Sequence, residues 1–171
     1  ISNSTNVAGE IIIDDFAIIS GDVQIHQFVK IGGHVMISGG SLVRKDIPPF
    51  ITAAREPVNY VGVNSIGLSR RGFSKDRIIE IQDTYRYIYQ KGLNTAQALE
   101  AIEKEVPQSE ERDYIMDFIK TSMRSTSAHN DQDEVQLRAE GSTGLLKGYR
   151  QQALDGPNVI LVSNAKNNYD A

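Results

Sequence analysis

Aliphatic residues recur at every sixth position of the first part of the chain without a break. They are Ile1, Val7, Ile13, Ile19, Ile25, Ile31, Ile37 and Val43. An amphipathic helix needs apolar residues about every 3.6 positions, and a half-buried strand needs them at every second position. A strict period of six fits neither pattern alone, so this segment is neither an ordinary helix nor an ordinary strand.

The other positions of the repeat favour short strands that wind around a prism. The fifth position of each six-residue block holds a small or β-branched residue, which suits an inward-facing site with little room. These residues are Thr5, Ile11, Ala17, Val23, Val29, Val35, Ser41 and Ile47. The third positions include Gly9, Gly21, Gly33 and Gly39, which we expect to adopt the backbone angles of tight corners. The period therefore predicts a left-handed parallel β-helix of hexapeptide repeats, with three blocks to a coil and between two and three coils.

After the repeats, the sequence predicts a connection and then short helices. Pro48 and Pro49 have no N–H for a strand ladder, so we expect them to end the stack of coils. Residues 50–73 are interpreted as an extended connection with short strands and turns. Three helices are predicted from their first and last residues. The start signals are Ser74, Asn94 (with Gln97) and Ser109, and the stop signals are Gly92 and Pro107.

These signals divide the chain into four predicted parts. Residues 1–49 form the β-helix, 50–73 the connecting loop segment, and 74–124 a small C-terminal helical domain. Residues 125–171 form a polar and partly disordered tail, in which only 159–162 (VILV) resemble a strand.

The composition restricts the partners and the chemistry. The 171 residues have a net charge of −4 with no excess of Lys and Arg, so nucleic acid is not an expected partner. The absence of cysteine excludes disulfides, thiolate metal sites and a cysteine nucleophile. The sequence shows no metal-ligand spacing and no phosphate-binding glycine loop, so neither a metal nor a cofactor is expected. It has no long apolar run and no export signal, so no transmembrane segment is predicted and a cytoplasmic location is compatible with it.

Few polar residues stand out as candidates for function. His26 follows the inward Ile25, and histidine is the residue type that acid–base chemistry at neutral pH favours, but a histidine in such a repeat is more often structural. His34 is interpreted as a corner or surface residue, and His129 as a loop residue. Arg70 and Arg71, with Asn64 nearby, could clamp a diphosphate, solvate the first helix, or receive an acidic carrier protein.

A resemblance to a known family lies in four motifs taken together. They are HQF (26–28), DIPP (46–49), GLSRRGF (67–73) and YRYIYQKGLN (85–94). On this hexapeptide scaffold they resemble the acyl-[acyl-carrier-protein]–UDP-N-acetylglucosamine O-acyltransferases of lipid A biosynthesis. The likeness runs from Ile1 to about Arg124, corresponds to the C-terminal portion of that family, and is closest to its Bacteroidetes-like branch.

The resemblance implies a reaction and its partners. A 3-hydroxyacyl chain would pass from acyl carrier protein to the 3-hydroxyl of UDP-N-acetylglucosamine, without a metal, in a cytoplasmic homotrimer whose active sites lie between neighbouring prisms. The family's general-base histidine lies just upstream of the position that matches Ile1, so this chain has no residue matching it. The tail after Arg124 has no match in the family.

The resemblance also assigns roles to individual residues. Gly9 matches an oxyanion-binding glycine, and Gly39 matches the position that measures acyl length, where the lack of a side chain should admit a long chain. Two residues depart from the family pattern: Glu10 stands where many members have histidine, and Ile66 where some have a glutamate near the uracil. The implied substrate-binding residues are Glu10, His26, Gln27, Asn64, Arg70 and Arg71.

Two alternatives to this function stay open at the level of sequence. A sugar-nucleotide N-acyltransferase would share the prism but acylate an amine. A non-catalytic trimeric scaffold would keep the fold without binding a nucleotide sugar.

Overall fold

The computed structural model describes residues 1–130, with side chains as far as Met123. The predicted strand at 159–162 and the side chain of His129 lie outside the described residues. The strands are β1 Asn6–Val7, β2 Ile12–Ile13, β3 Ile18–Ile19, β4 Gln24–Ile25, β5 Lys30–Ile31, β6 Met36–Ile37, β7 Leu42–Val43, β8 Ile51–Ala54 and β9 Asn59–Val63. The helices are α1 Ser65–Arg70, α2 Lys75–Tyr89, α3 Thr95–Glu105 and α4 Glu110–Asn130.

Strands one coil apart pair in parallel, which confirms the predicted three blocks to a coil. Asn6 pairs with Gln24, and Gln24 with Leu42, so partners are 18 residues apart. β1, β4 and β7 form one face of the prism, β2 and β5 the second, and β3 and β6 the third. Each of the first two coils therefore contributes one short strand to each face and turns three corners.

The interior of the prism is filled by the residues that the period predicted. The side chains at the first and fifth positions are buried from Ile19 onward, including Ile31, Val35 and Ile37, which are fully inaccessible. Ile1 and Val7 are exposed, because no described residue covers that end of the prism. Stacked aliphatic side chains therefore form the core of the coils, at about 25 cal/mol for each Å² of apolar surface buried.

The corners have left-handed backbone angles, as predicted, but at the fourth position of the block and not at the glycines of the third position. The fourth residue of each of the first seven blocks has φ between 57° and 71°. A type II turn requires such a value at its second central residue. These residues are Ser4, Glu10, Phe16, Asp22, Phe28, His34 and Gly40.

The third-position glycines have a different purpose, so the reason expected for them was wrong. A Cβ on Gly21, Gly33 or Gly39 would lie 3.1–3.2 Å from a carbonyl oxygen of the preceding coil. The glycines therefore permit close stacking of the coils. At Gly9 a Cβ would meet nothing within 4 Å.

The prolines do not end the stack, which corrects another prediction. β8 pairs in parallel with β6, in the register Met36 to Thr52, and β9 then adds to β8 in antiparallel orientation. The residues beside the prolines supply the ladder hydrogen bonds: Ile47 N–H donates to Lys30 O (2.9 Å) and Phe50 N–H donates to Gly33 O (2.8 Å). Two prolines without N–H groups are thus tolerated inside the third coil.

The three predicted helices are confirmed, together with their N-caps. The Ser74 hydroxyl accepts from Arg77 N–H at the start of α2, and Ser109 accepts from Arg112 N–H before α4. The Asn94 side chain and Gln97 form both hydrogen bonds of a capping box at α3. Helix α1 was missed, because residues 50–73 were interpreted as extended. α4 continues to Asn130, past residue 124, and the division into domains stays a prediction.

The helices pack on the coils through one hydrophobic cluster, which contains Ile51 of β8, Leu68 of α1 and Ile119 of α4. A buried carboxylate adds a polar connection between coil and helix. Asp46 accepts from Lys30 N–H (2.8 Å) and from the Ser122 hydroxyl of α4 (2.6 Å). No helix among residues 1–130 is long and apolar enough to cross a membrane.

We expect replacement of Asp46 to change how stability depends on pH. Burial raises the pKa of Asp46 above its ordinary value of 3.8, against the opposing effect of its hydrogen bonds. The folded chain then binds the Asp46 proton more tightly than the unfolded chain does. The contribution of Asp46 to stability therefore falls as the pH rises from about 3.8 through the raised pKa. Asp46→Asn removes this titration and should flatten the pH dependence of the urea midpoint in that range.

The matched control is Asp117→Asn, which changes an exposed carboxylate on helix α4, the helix whose Ser122 binds Asp46. It should leave the slope of the urea midpoint against pH close to that of the unsubstituted chain. An Asp46→Asn slope equal to that of the control would contradict the prediction.

Candidate functional site

The predicted site residues lie on more than one corner of the prism. The corners stack into three columns, which we name the Gly9 corner (residues 9–10 and 27–28), the Gly33 corner (15–16, 33–34 and 50) and the Gly39 corner (3–4, 21–22 and 39–40). One backbone hydrogen bond illustrates each column: Phe28 N–H to Gly9 O (3.3 Å), His34 N–H to Asp15 O (3.0 Å) and Gly40 N–H to Gly21 O (3.0 Å).

The Gly9 corner brings four predicted residues together. Gly9, Glu10 and Gln27 are exposed, and His26 is half-buried beside them, with its Nδ1 3.2 Å from Gln27 O. His26 also borders an open cavity of about 370 Å³ on the face formed by β1, β4 and β7. The polar residues that line this cavity with His26 are Asn6, Gln24 and Arg44.

Gly39 lies on a corner of its own, apart from the other predicted residues. It is exposed, and a Cβ there would lie 3.1 Å from Gly21 O of the preceding coil. A glycine at this position therefore has a packing reason that is independent of any acyl chain.

Asn64 fastens the start of α1 to the Gly33 corner. Its Nδ2 donates to His34 O (3.0 Å), and its Oδ1 accepts from Gly67 N–H (3.2 Å) as the N-cap of the helix. Its backbone N–H donates to Phe50 O (2.8 Å). Both ends of the amide are thus used within the chain, which leaves one N–H of Nδ2 for a ligand.

The two adjacent arginines point to different surroundings. The Arg71 guanidinium lies over the Phe16 ring, with Cζ 4.4 Å from its centroid. Arg70 occupies the last turn of α1 and is exposed. Arg71 is the C-cap of this helix, and its guanidinium is the one of the two that contacts a ring of the Gly33 corner within the described residues.

His34 belongs to a ring stack that sequence reasoning missed. Its imidazole stacks between Phe16 (centroids 4.9 Å apart) and Phe50 (5.6 Å), and Phe73 meets it edge-on at 5.1 Å. Its Nδ1 is buried and has no hydrogen-bond partner among the described residues. The signal was available: Phe16 and His34 are 18 residues apart, at the same repeat position in successive coils.

Electrostatics at this corner favour a neutral His34. Burial lowers the pKa of its imidazole, the Arg71 guanidinium lowers it further, and Asp15 opposes both. The ring therefore stacks against its neighbours without a charge at neutral pH.

Tyr114 of α4 closes the other side of the Gly33 corner. Its hydroxyl donates to an Asp14 carboxylate oxygen and accepts from Gly33 N–H (2.8 Å). Burial and the Asp14 hydrogen bond raise the pKa of Tyr114, so the phenol stays protonated. An open cavity of about 510 Å³ lies between Tyr114, the two aspartates Asp14 and Asp15, and His34. Within residues 1–130 no group of three His, Cys, Asp or Glu could hold a metal ion.

The geometry gives two surfaces with different chemistry. The Gly9 corner offers an imidazole, an amide and a carboxylate beside exposed backbone, which suits a polar, hydroxyl-rich ligand. The Gly33 corner offers the Arg71 guanidinium over a neutral ring stack, which suits an anion such as a phosphate, and the carboxylates of Asp14 and Asp15 lie on the side of His34.

Comparison with known proteins gives the same family over the coils and the helices. The family described as UDP N-acetylglucosamine O-acyltransferase, domain 2, matches residues 46–127. An acyl-[acyl-carrier-protein]–UDP-N-acetylglucosamine O-acyltransferase of Myxococcus xanthus is 38% identical over 112 residues, which are 66% of this chain and 43% of that protein. The protein of the same name from Burkholderia orbicola is 45% identical over 98 residues, 57% of this chain and 37% of that protein.

Solved structures extend this likeness to the fold. A UDP-N-acetylglucosamine acyltransferase from Bacteroides fragilis is 59% identical with a TM-score of 0.69, over 70% of this chain and 47% of that one. The enzyme from Francisella novicida is 34% identical with a TM-score of 0.67, over 70% and 44%. The Bacteroides likeness confirms the predicted branch. The chain spans less than half of the length of these relatives.

We expect Arg71→Gln to raise the pKa of His34, because it removes the positive charge that lowers this pKa while the burial of the ring remains. The imidazole titration can be followed by NMR. Arg70→Gln is the matched control, because it removes the same charge one residue away, where no contact with Phe16 or His34 exists. Equal shifts in the two variants would show that His34 responds to net charge and not to Arg71.

Proposed function

Because this chain belongs to the family of acyl-[acyl-carrier-protein]–UDP-N-acetylglucosamine O-acyltransferases, we propose that it serves the transfer of a 3-hydroxyacyl chain from acyl carrier protein to the 3-hydroxyl of UDP-N-acetylglucosamine. The proposal includes the left-handed turn of the coils, a C-terminal helical domain, and work in the cytoplasm without a cofactor. It is supported by the curated relatives of that name at 38% and 45% identity and by the Bacteroides structure at 59%.

The observation that carries the proposal is the separation of the Gly9 and Gly33 corners on one prism. Equivalent positions of the two corners are six residues apart along the chain, which is at most about 20 Å at roughly 3.3 Å for each residue. Within one chain, His26 lies at the Gly9 corner and the Arg71 guanidinium lies over Phe16 at the Gly33 corner. In a homotrimer, the Gly9 corner of one copy would face the Gly33 corner of the next, and the two halves would form one site.

Each half then has a distinct role. His26, Gln27 and Glu10 would bind the glucosamine ring from one copy, where Gly9 would direct a backbone N–H at the oxyanion that forms during acyl transfer. Arg70, Arg71 and the remaining Asn64 N–H would hold the nucleotide and its phosphates from the neighbouring copy. Gly39 would border the acyl chain. The general base implied by the resemblance matches no residue of this chain, so binding is the appropriate primary readout.

The first experiment concerns assembly and the division of the site. The chain should have three times its mass of 18.9 kDa by light scattering. His26→Ala and Arg71→Gln alone should each weaken the binding of UDP-N-acetylglucosamine. The arginine change should lower the affinity about 10- to 150-fold, which is the range of a charged hydrogen bond. Trimers re-formed from an equal mixture of the His26→Ala and Arg71→Gln chains should regain about one quarter of the tight sites. Each site needs an intact Gly9 corner from one copy and an intact Arg71 from the next, and each of these has an even chance. Titration calorimetry counts these sites.

The matched control mixes His26→Ala with Gln27→Ala, two changes on the same corner. No combination of these chains restores an intact Gly9 corner, so the mixture should regain no tight sites. Recovery in both mixtures, or in neither, would contradict a site shared between copies. A trimer that does not bind nucleotide sugars at all would support the scaffold alternative.

The acceptor chemistry is tested by supplying 3-hydroxyacyl carrier protein with either UDP-N-acetylglucosamine or its 3-amino analogue. We expect acylation of the hydroxyl substrate, detected by mass spectrometry, at a rate about 10²- to 10⁴-fold below that of a site with a general base. Acylation of the amine alone would favour the N-acyltransferase alternative. The reaction without protein is the control.

A further inference from the structure

Four planar groups form a continuous column at the Gly33 corner. From the interior outward they are the rings of Phe50, His34 and Phe16, and then the guanidinium of Arg71. The three rings stack in sequence with interplanar angles of 20° and 30°, and Cζ of Arg71 lies 4.4 Å from the last centroid. Phe50 is only 4% exposed, so the column rests on the core of the protein.

Phe16 is the outermost ring of the column and has two unfavourable features. Its φ is 64°, where a bulky residue is uncommon, and 55% of its surface is exposed to solvent. Glycine, asparagine or aspartate would suit this turn better, as Asp22 and Gly40 do at equivalent positions. Phe28 shares both features, with φ of 67° and 41% exposure, so the contact with Arg71, and not the backbone angle, assigns Phe16 a role.

Arg71 would be a mobile side chain without this contact. It follows the last residue of α1 and is exposed, and an arginine loses rotamer entropy when it is fixed by a ligand. A guanidinium already held flat on a ring has lost part of that freedom before binding, so less affinity is lost on immobilisation.

We propose that Phe16 is a positioning residue that holds the Arg71 guanidinium over the coil, ready for the phosphates of a nucleotide sugar. His34 completes this platform as a neutral spacer between Phe16 and the buried Phe50, because a protonated imidazole would repel the guanidinium. Phe16 acts through Arg71 and does not itself contact the phosphates. The inference rests on the proposed function for the phosphate ligand, but the platform itself exists without a ligand.

The platform can be tested without any ligand. Ring currents of Phe16 should shift the side-chain resonances of Arg71 upfield in the NMR spectrum, with Arg71→Lys used to assign them. Phe16→Leu should abolish the shift and Phe16→Tyr should retain it. The matched control is Phe73→Leu. Phe73 also lies beside His34, but the guanidinium over its ring, at 4.7 Å, is that of Arg77 and not of Arg71. An unchanged Arg71 shift in Phe16→Leu would overturn the platform.

The consequence for binding is tested with UDP and with uridine, which lacks phosphates. Phe16→Leu should lower the affinity for UDP about 2- to 5-fold. This loss corresponds to the roughly 0.5–1 kcal/mol of an exposed cation–π contact, at about 1.4 kcal/mol for each tenfold change in affinity. It should leave uridine affinity unchanged, whereas Phe16→Tyr and Phe73→Leu should match the unsubstituted chain for both ligands.

The outcomes separate this inference from the proposed function. If Arg71→Gln weakens UDP but Phe16→Leu does not, the positioning role is overturned while the function stands. If Phe16→Leu weakens UDP and uridine equally, the ring contacts the nucleoside or supports the fold, and the positioning role is again overturned. If Arg71→Gln has no effect on UDP, the phosphate-binding half of the proposed function fails, whatever the NMR result for the platform.

Discussion

The hydrogen-bond ladder between residues 18 apart is the interaction on which this structure depends. A two-residue strand has no stability of its own, and each strand here exists because the next coil pairs with it. The ladder also brings the same repeat position of successive coils into contact. It therefore stacks aliphatic residues inside the prism and corner residues outside it, which allows Phe16 and His34 to meet. The packing inside the prism and the ring contact at its corner both follow from this one repeat distance.

The same ladder separates the groups that the proposed binding site combines. Each corner is a column of its own, so His26 lies with Gly9 while Arg71 lies with His34 on the next corner. The proposed site, which uses both columns, therefore takes its two halves from two copies of the chain.

The helices contribute by fixing side chains on the coils. Asn64 caps α1 and binds the backbone of His34, so the helix that ends beside Arg71 starts on the corner that Arg71 covers. Ser122 and Tyr114 of α4 bind Asp46 and Asp14 of the coils. These contacts join residues up to 100 positions apart in the chain, so the orientation of the Gly33 corner depends on the packing of the whole helical part.

The sequence alone determined the coil, its three-block turn and the three longer helices with their caps, because these depend on local periodicity and on residues a few positions apart. It also indicated a family and a set of residues through four short motifs. Tertiary structure decided the rest. The stack continues past Pro48 and Pro49 because neighbouring residues supply the ladder bonds, and the third-position glycines serve packing between coils. Only the three-dimensional arrangement of the corners shows that Arg71 rests on Phe16 and that His26 lies elsewhere, since contact between coils and helices depends on distances that no local pattern encodes.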